Sequence, residues 1–238
     1  MNTASTHSTT SREATVIRLG GLAGLSIIGL YVLITFVLTR FPGPSSVPFG
    51  ELKTYILDHA GAMAVGNGLR YLVLVCIAFF AVGMYTFTGR GATLTGNAWG
   101  ILGLLGAAAL MANGAVSNAV LTFAYLSFAK LSEQPEHFML QSNLSRVLFT
   151  VGQLFWGLMI GSFSIAAWQS ATVPKWMIIP GLLFAALGVF NVVFIAWIIA
   201  GGRGPELLQL VQIVVGLFWM PGVSLLMLLK YQRQHLDL

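Results

Sequence analysis

Between Arg90 and Lys130 the chain carries no charged residue, and the stretch from Ala98 to Ala129 inside that interval is dominated by apolar side chains. At about 1.5 Å per residue, a helix over this stretch crosses a hydrocarbon layer of about 30 Å with a turn or two to spare. Small residues crowd it (Gly100, Gly103, Gly106, Ala107, Ala108, Ala109, Ala112, Gly114 and Ala115), and Asn113 and Asn118 lie within it. Small side chains let backbones approach, and a carboxamide in hydrocarbon needs a partner, so this helix is expected in the middle of a bundle. The composition extends the argument to the whole chain. It is 57% hydrophobic and 8% charged, against about 25% charged in soluble domains. The fold class expected is all-α, a polytopic membrane helix bundle.

Taken in order, residues 1–18 are rich in Ser and Thr with little to bury and are expected to be a disordered cytoplasmic tail. A membrane domain over 19–229 follows, with six spans expected at about 19–39, 69–88, 98–129, 147–168, 176–200 and 207–229, and a short tail over 230–238. Gly20 and Gly24 give the first span a small edge for packing. Pro42, Pro44 and Pro48 stop it from continuing as a helix. Leu52, Tyr55 and Ile56 then fall at helical spacing, which suggests a short amphipathic piece along the membrane surface. An even number of spans returns the chain to the side it started from. Lys and Arg divide evenly between the two faces and do not orient the protein. The face opposite the termini holds Glu51, Asp58, Glu133, Glu136 and Glu206 and the longer loops, so both termini are expected in the cytoplasm and the protein in a bacterial cytoplasmic membrane.

Several functions are excluded by what the sequence lacks. The net charge is +5, but the basic residues stand singly at the ends of apolar runs, where they meet lipid headgroups; membrane lipids are the expected partners and nucleic acid is not. The single cysteine, Cys76, cannot form an intrachain disulfide. No Asp, Glu, Lys, Arg or His sits deep in an expected span, which argues against an ion-coupled pump. The phosphate-loop, nucleophile-elbow and zinc-protease motifs are absent, and Ser117, Ser162 and Ser164 have no buried base beside them. No catalytic residue, cofactor or metal ligand set is therefore assigned, and a non-enzymatic role is expected.

Two internal echoes supply candidate sites. Asp58-His59 precedes Asn67-x-x-Arg70, and Glu136-His137 precedes Asn143-x-x-Arg146. Were the two loops to meet, two acid–histidine pairs and two arginines would form a mouth suited to a divalent metal or an anionic headgroup. The plainer reading has Asn and Arg capping helix starts and reaching to the interface. The second echo pairs Gln153 and Trp156 of the fourth span with Gln212 and Trp219 of the sixth. Gln153 is seven residues past Arg146 and Gln212 six past Glu206. Asn118 and Asn191 each lie twelve residues before the basic residue ending their span, Lys130 and Arg203. The four carboxamides and two tryptophans thus fall near one depth and are the candidate ligand-binding residues. Trp99, Trp168 and Trp176 are expected at the interface, the usual place for tryptophan. The competing reading is that the amides hydrogen-bond helix to helix and the indoles fill volume. Pro180 and Pro221-Gly222 would kink the last two helices and widen the space.

The chain also resembles a large bacterial family of uncharacterised six-helix integral membrane proteins. The resemblance runs from Arg18-Leu-Gly-Gly-Leu-Ala-Gly24 through Gly68-Leu-Arg70-Tyr-Leu, Leu154-Phe-Trp-Gly157-Leu and Val173-Pro-Lys-Trp176 to Gly204-Pro-Glu206-Leu-Leu. It implies the six-span topology and carries no activity or catalytic residue. The function expected is binding of a lipid-like or small apolar ligand, or of a membrane partner or second copy, through the outer half of spans three to six. The alternatives are a small permease for a neutral or amphipathic solute and a metal-dependent enzyme at the Asp58, His59, Glu136, His137 mouth.

Overall fold

A computed structural model describes residues 3–39, 49–89, 93–131, 135–195 and 206–236. Among them there are helices and no strand. The order is α1 (Thr3–Thr39), a 3₁₀ turn (Phe49–Glu51), α2 (Leu52–Asp58), α3 (Ala60–Gly89), α4 (Leu94–Leu131), α5 (Pro135–Gln169), α6 (Lys175–Val193) and α7 (Glu206–Leu236). Six of these are long and apolar enough to cross a membrane: Ser11–Thr35, Ala64–Gly89, Leu94–Phe123, Asn143–Gln169, Lys175–Val193 and Leu210–Lys230. The protein is an all-α, multi-pass membrane bundle. The residues of 176–200 beyond 195 lie outside the described residues.

The long helices form a closed ring. Each packs on the next in sequence, α1 on α3 and so on to α6 on α7, and α7 returns to pack on α1; α5 also reaches across to α3. The core is built where apolar faces converge, with Ile27, Phe80, Met84, Met159, Phe163, Phe184, Trp219 and Met227 all buried. Glycine sets the close approach at the α1–α3 and α4–α5 interfaces, among others. A Cβ on Gly20 of α1 would stand 2.6 Å from Cα of Gly83 on α3, and one on Gly106 of α4 would stand 2.7 Å from the backbone N of Met159 on α5.

That geometry corrects the expectation for α4. Its span is the least buried of the six at 28%, and the centre belongs to α5 at 56%. The small residues of α4 seat it tightly on α5, but on one face only; Ile101, Leu105, Val116 and Phe123 point away from the bundle. Within the segment 1–18, α1 is helical from Thr3. Extending an existing helix fixes one residue per added hydrogen bond, with no new nucleus to form. Ala14 and Ile17 give the extension buried contacts.

The turn between α5 and α6 has a specific geometry. Thr172 N–H donates to Ala167 O at 3.1 Å and Ala171 N–H to Trp168 O at 3.2 Å, the bond pair of a Schellman cap. The position that glycine usually fills is taken by Ala171, with φ of 50°. Pro174 then occupies the N-cap of α6. Trp168 and Trp176 flank the turn, both exposed on the outside of the bundle, as expected of interfacial tryptophans. α2, the short helix after the 3₁₀ turn, packs against α4 and buries Ile56.

Candidate functional site

The centre of the site is the carboxamide of Gln212. Its Oε1 accepts from Asn191 Nδ2 at 2.6 Å, and its Nε2 donates to the backbone carbonyls of Gln153 at 3.2 Å and Phe184 at 3.4 Å. One side chain of α7 therefore ties together α5 and α6. Gln153, Asn191 and Gln212 are 2%, 0% and 0% exposed, so these bonds form away from solvent and lipid alike. The approach is possible because of Gly188. A Cβ there would stand 2.7 Å from Gln153 O and 3.2 Å from Gln212 Nε2.

Aromatic rings enclose this layer. Trp156, one helical turn after Gln153, stacks on Tyr31 of α1 with centroids 5.5 Å apart and meets Phe184 of α6 edge-on at 5.6 Å. Phe184 thus links ring and amide, since its carbonyl receives Gln212 Nε2. Trp219 lies deeper along α7. Seven residues past Gln212 at about 1.5 Å each is about 10 Å, and its Nε1 faces the Cα of Gly181, where an added Cβ would meet it at 2.7 Å and would collide with Ser164 Oγ. Its ring packs edge-on against Phe80 of α3 at 6.3 Å.

The structure accordingly brings together Gln153, Trp156, Asn191 and Gln212 and sets Trp219 in a second layer. Asn118 is buried, but on α4, which packs on α2, α3 and α5 and not on α6 or α7 among the described residues. Its carbonyl accepts from Thr122 Oγ1 at 2.8 Å, and Thr122 Oγ1 accepts from Asn67 Nδ2 of α3 at 2.9 Å. Asn67 Oδ1 in turn receives Arg70 Nη1 at 3.2 Å. Asn67 and Arg70, read from sequence as capping a helix start, lie inside α3, and Asn67 bonds across to α4. Asn113 makes a comparable link, donating to Leu148 O of α5 at 2.8 Å. The side chains of Glu136, His137 and Arg146 lie outside the described residues, so the proposed acid–histidine mouth does too.

The amides do serve as helix-to-helix bonds, yet the bonds do not use all their atoms. Among the described residues, Gln153 Oε1, Asn191 Oδ1, Trp156 Nε1, Trp219 Nε1 and Ser224 Oγ are buried with no hydrogen-bond partner. In hydrocarbon such groups cost free energy until something pairs with them. All five of these atoms are neutral donors or acceptors. Sequence reasoning missed Tyr31, Phe184 and Ser224. The spacing of Gly181 and Gly188, seven residues apart on one face of α6, is the unread signal that could have pointed to a tight layer there.

The chain was compared with protein-family models, with curated proteins and with solved structures, and no match was found.

Proposed function

We propose that this is a non-enzymatic protein of a bacterial cytoplasmic membrane, termini in the cytoplasm, of the six-helix kind its turn motifs resemble. It binds a lipid-like or small amphipathic molecule among α5, α6 and α7. The observation that carries this reading is the set of buried polar atoms left without partners beside the Gln212 network. A protein that needed these amides only as structural links would be expected to pair them fully, since an unsatisfied group in a bundle interior costs about 1–3 kcal/mol. The test is native mass spectrometry of the full chain in mild detergent, for wild type and for Gln153→Leu/Trp156→Phe. A stoichiometric bound mass in the wild type that is lost in the double variant supports binding. Bare protein in both overturns it.

A second reading, permeation of a small neutral solute, is favoured by the position of Trp219 Nε1 and Ser224 Oγ. They are buried and unpartnered further along α7, Trp219 toward Gly181 of α6 and Ser224 toward Gly24 of α1, so polar atoms recur with depth. It predicts that a cysteine at Gln153 is labelled by a membrane-impermeant thiol reagent; labelling from neither side removes it.

A further inference from the structure

The unpartnered atoms of the Gln212 layer differ in kind, and their kinds restrict the head of a ligand. Gln153 Oε1 and Asn191 Oδ1 are acceptors, and Trp156 Nε1 carries a donor. Gln212 bonds the backbone carbonyl of Gln153, not its side chain, so the Gln153 carboxamide is outside the helix-to-helix network. Trp156 sits three residues further on, on the same face of α5, at a spacing that brings side chains alongside one another. Both residues are nine-tenths or more buried, Gln153 at 2% exposed and Trp156 at 9%.

Resting on the binding reading above, we infer that the site takes a neutral amphiphile whose head is a hydroxyl group. The hydroxyl donates to Gln153 Oε1 and accepts from Trp156 Nε1–H, with Asn191 Oδ1 as a second acceptor in the layer. A carboxylate or phosphate head offers only acceptors at neutral pH and would face two carboxamide oxygens. An ammonium head would supply donors, but none of the unpartnered groups is a carboxylate that could balance its charge out of water. An ether or ester head leaves both carboxamide oxygens unpaired. A hydroxyl both donates and accepts, and so matches the mixed set. The rings of Tyr31, Trp156 and Phe184 beside it are suited to the first carbons of an apolar tail.

The test uses the full chain in phospholipid vesicles with three probes, each a sixteen-carbon chain bearing a diazirine: the free alcohol, its methyl ether and the matching fatty acid. After irradiation, labelled peptides are quantified by mass spectrometry. The alcohol is expected to label peptides of α5 to α7 about fivefold more than either of the others, the discrimination of one net hydrogen bond. Gln153→Leu should bring the alcohol down to the level of the ether. Equal labelling by the three probes overturns the hydroxyl assignment and leaves the binding reading standing. Undiminished labelling in a folded Gln153→Leu overturns the assignment of Gln153. Absence of label in α5 to α7 from every probe overturns both readings. The comparison of probes on the wild type decides the head group even if the variant does not fold.

Discussion

Asn191 Nδ2 donates to Gln212 Oε1 across the α6–α7 contact at 2.6 Å, with both residues fully buried. Gln212 passes the connection on to two backbone carbonyls, so its removal strands Asn191 and frees α5 and α6 at once. Gln212→Leu is expected to lower stability by about 1–3 kcal/mol, and Gln153→Leu by less, because only the backbone of Gln153 is bonded by Gln212. Unfolding in mixed micelles, followed by tryptophan fluorescence, measures both.

Glycine positions on α1 should separate cleanly. Gly20→Ala sets a Cβ 2.6 Å from Cα of Gly83, a backbone atom that cannot rotate away, while nothing lies within 4 Å of a Cβ at Gly29. Gly20→Ala should cost about 1–3 kcal/mol through overpacking. Gly29→Ala should be neutral or gain up to about 1 kcal/mol from helix propensity. The same unfolding measurement compares them.

Ala171 holds a left-handed conformation at the close of α5, φ 50°. Ala171→Gly relieves about 1–2 kcal/mol of backbone strain and gives back about 0.4–1 kcal/mol in unfolded-chain entropy. A net gain between about 0 and 1.6 kcal/mol is expected, seen as a raised midpoint of thermal unfolding.

Carboxamides and indoles do not titrate in the ordinary range. Retention of a ligand by the Gln153–Trp156 layer should therefore be flat between about pH 5 and 9, the range in which histidine and the α-amino group change charge. Native mass spectra across that range check it; a step would assign the binding to a titratable group elsewhere.

The six crossings could be read from hydropathy because a span needs length and apolar character, both of which are local properties. Which helix is central is not local. The glycines and alanines of α4 announce close approach, which occurs at Gly106 against Met159, but do not say how many neighbours share it. Depth was legible for the amides by counting from charged ends, and it joined Asn191 with Gln212 correctly. The same arithmetic placed Asn118 with them, because a count gives depth and no azimuth; Asn118 lies on α4, where its backbone carbonyl accepts from Thr122 of the same helix, and it is Thr122 that Asn67 of α3 reaches. Ser224 carried no signal, since its burial depends on the return of α7 to α1.

That return has a consequence for how the protein is made. Every other neighbour pair in the ring is also adjacent in sequence and can pair as it leaves the insertion machinery, but α1 must wait for the last helix. Until α7 arrives, the sides of α1 and α3 that receive Ser224 and Trp219, around Gly24 and Phe80, face lipid or a holdase. A chain stopped before Glu206 would leave that seam open and the Asn191 amide without its receptor. Completion of the ring is the point at which the seam and the Asn191 donor are closed together.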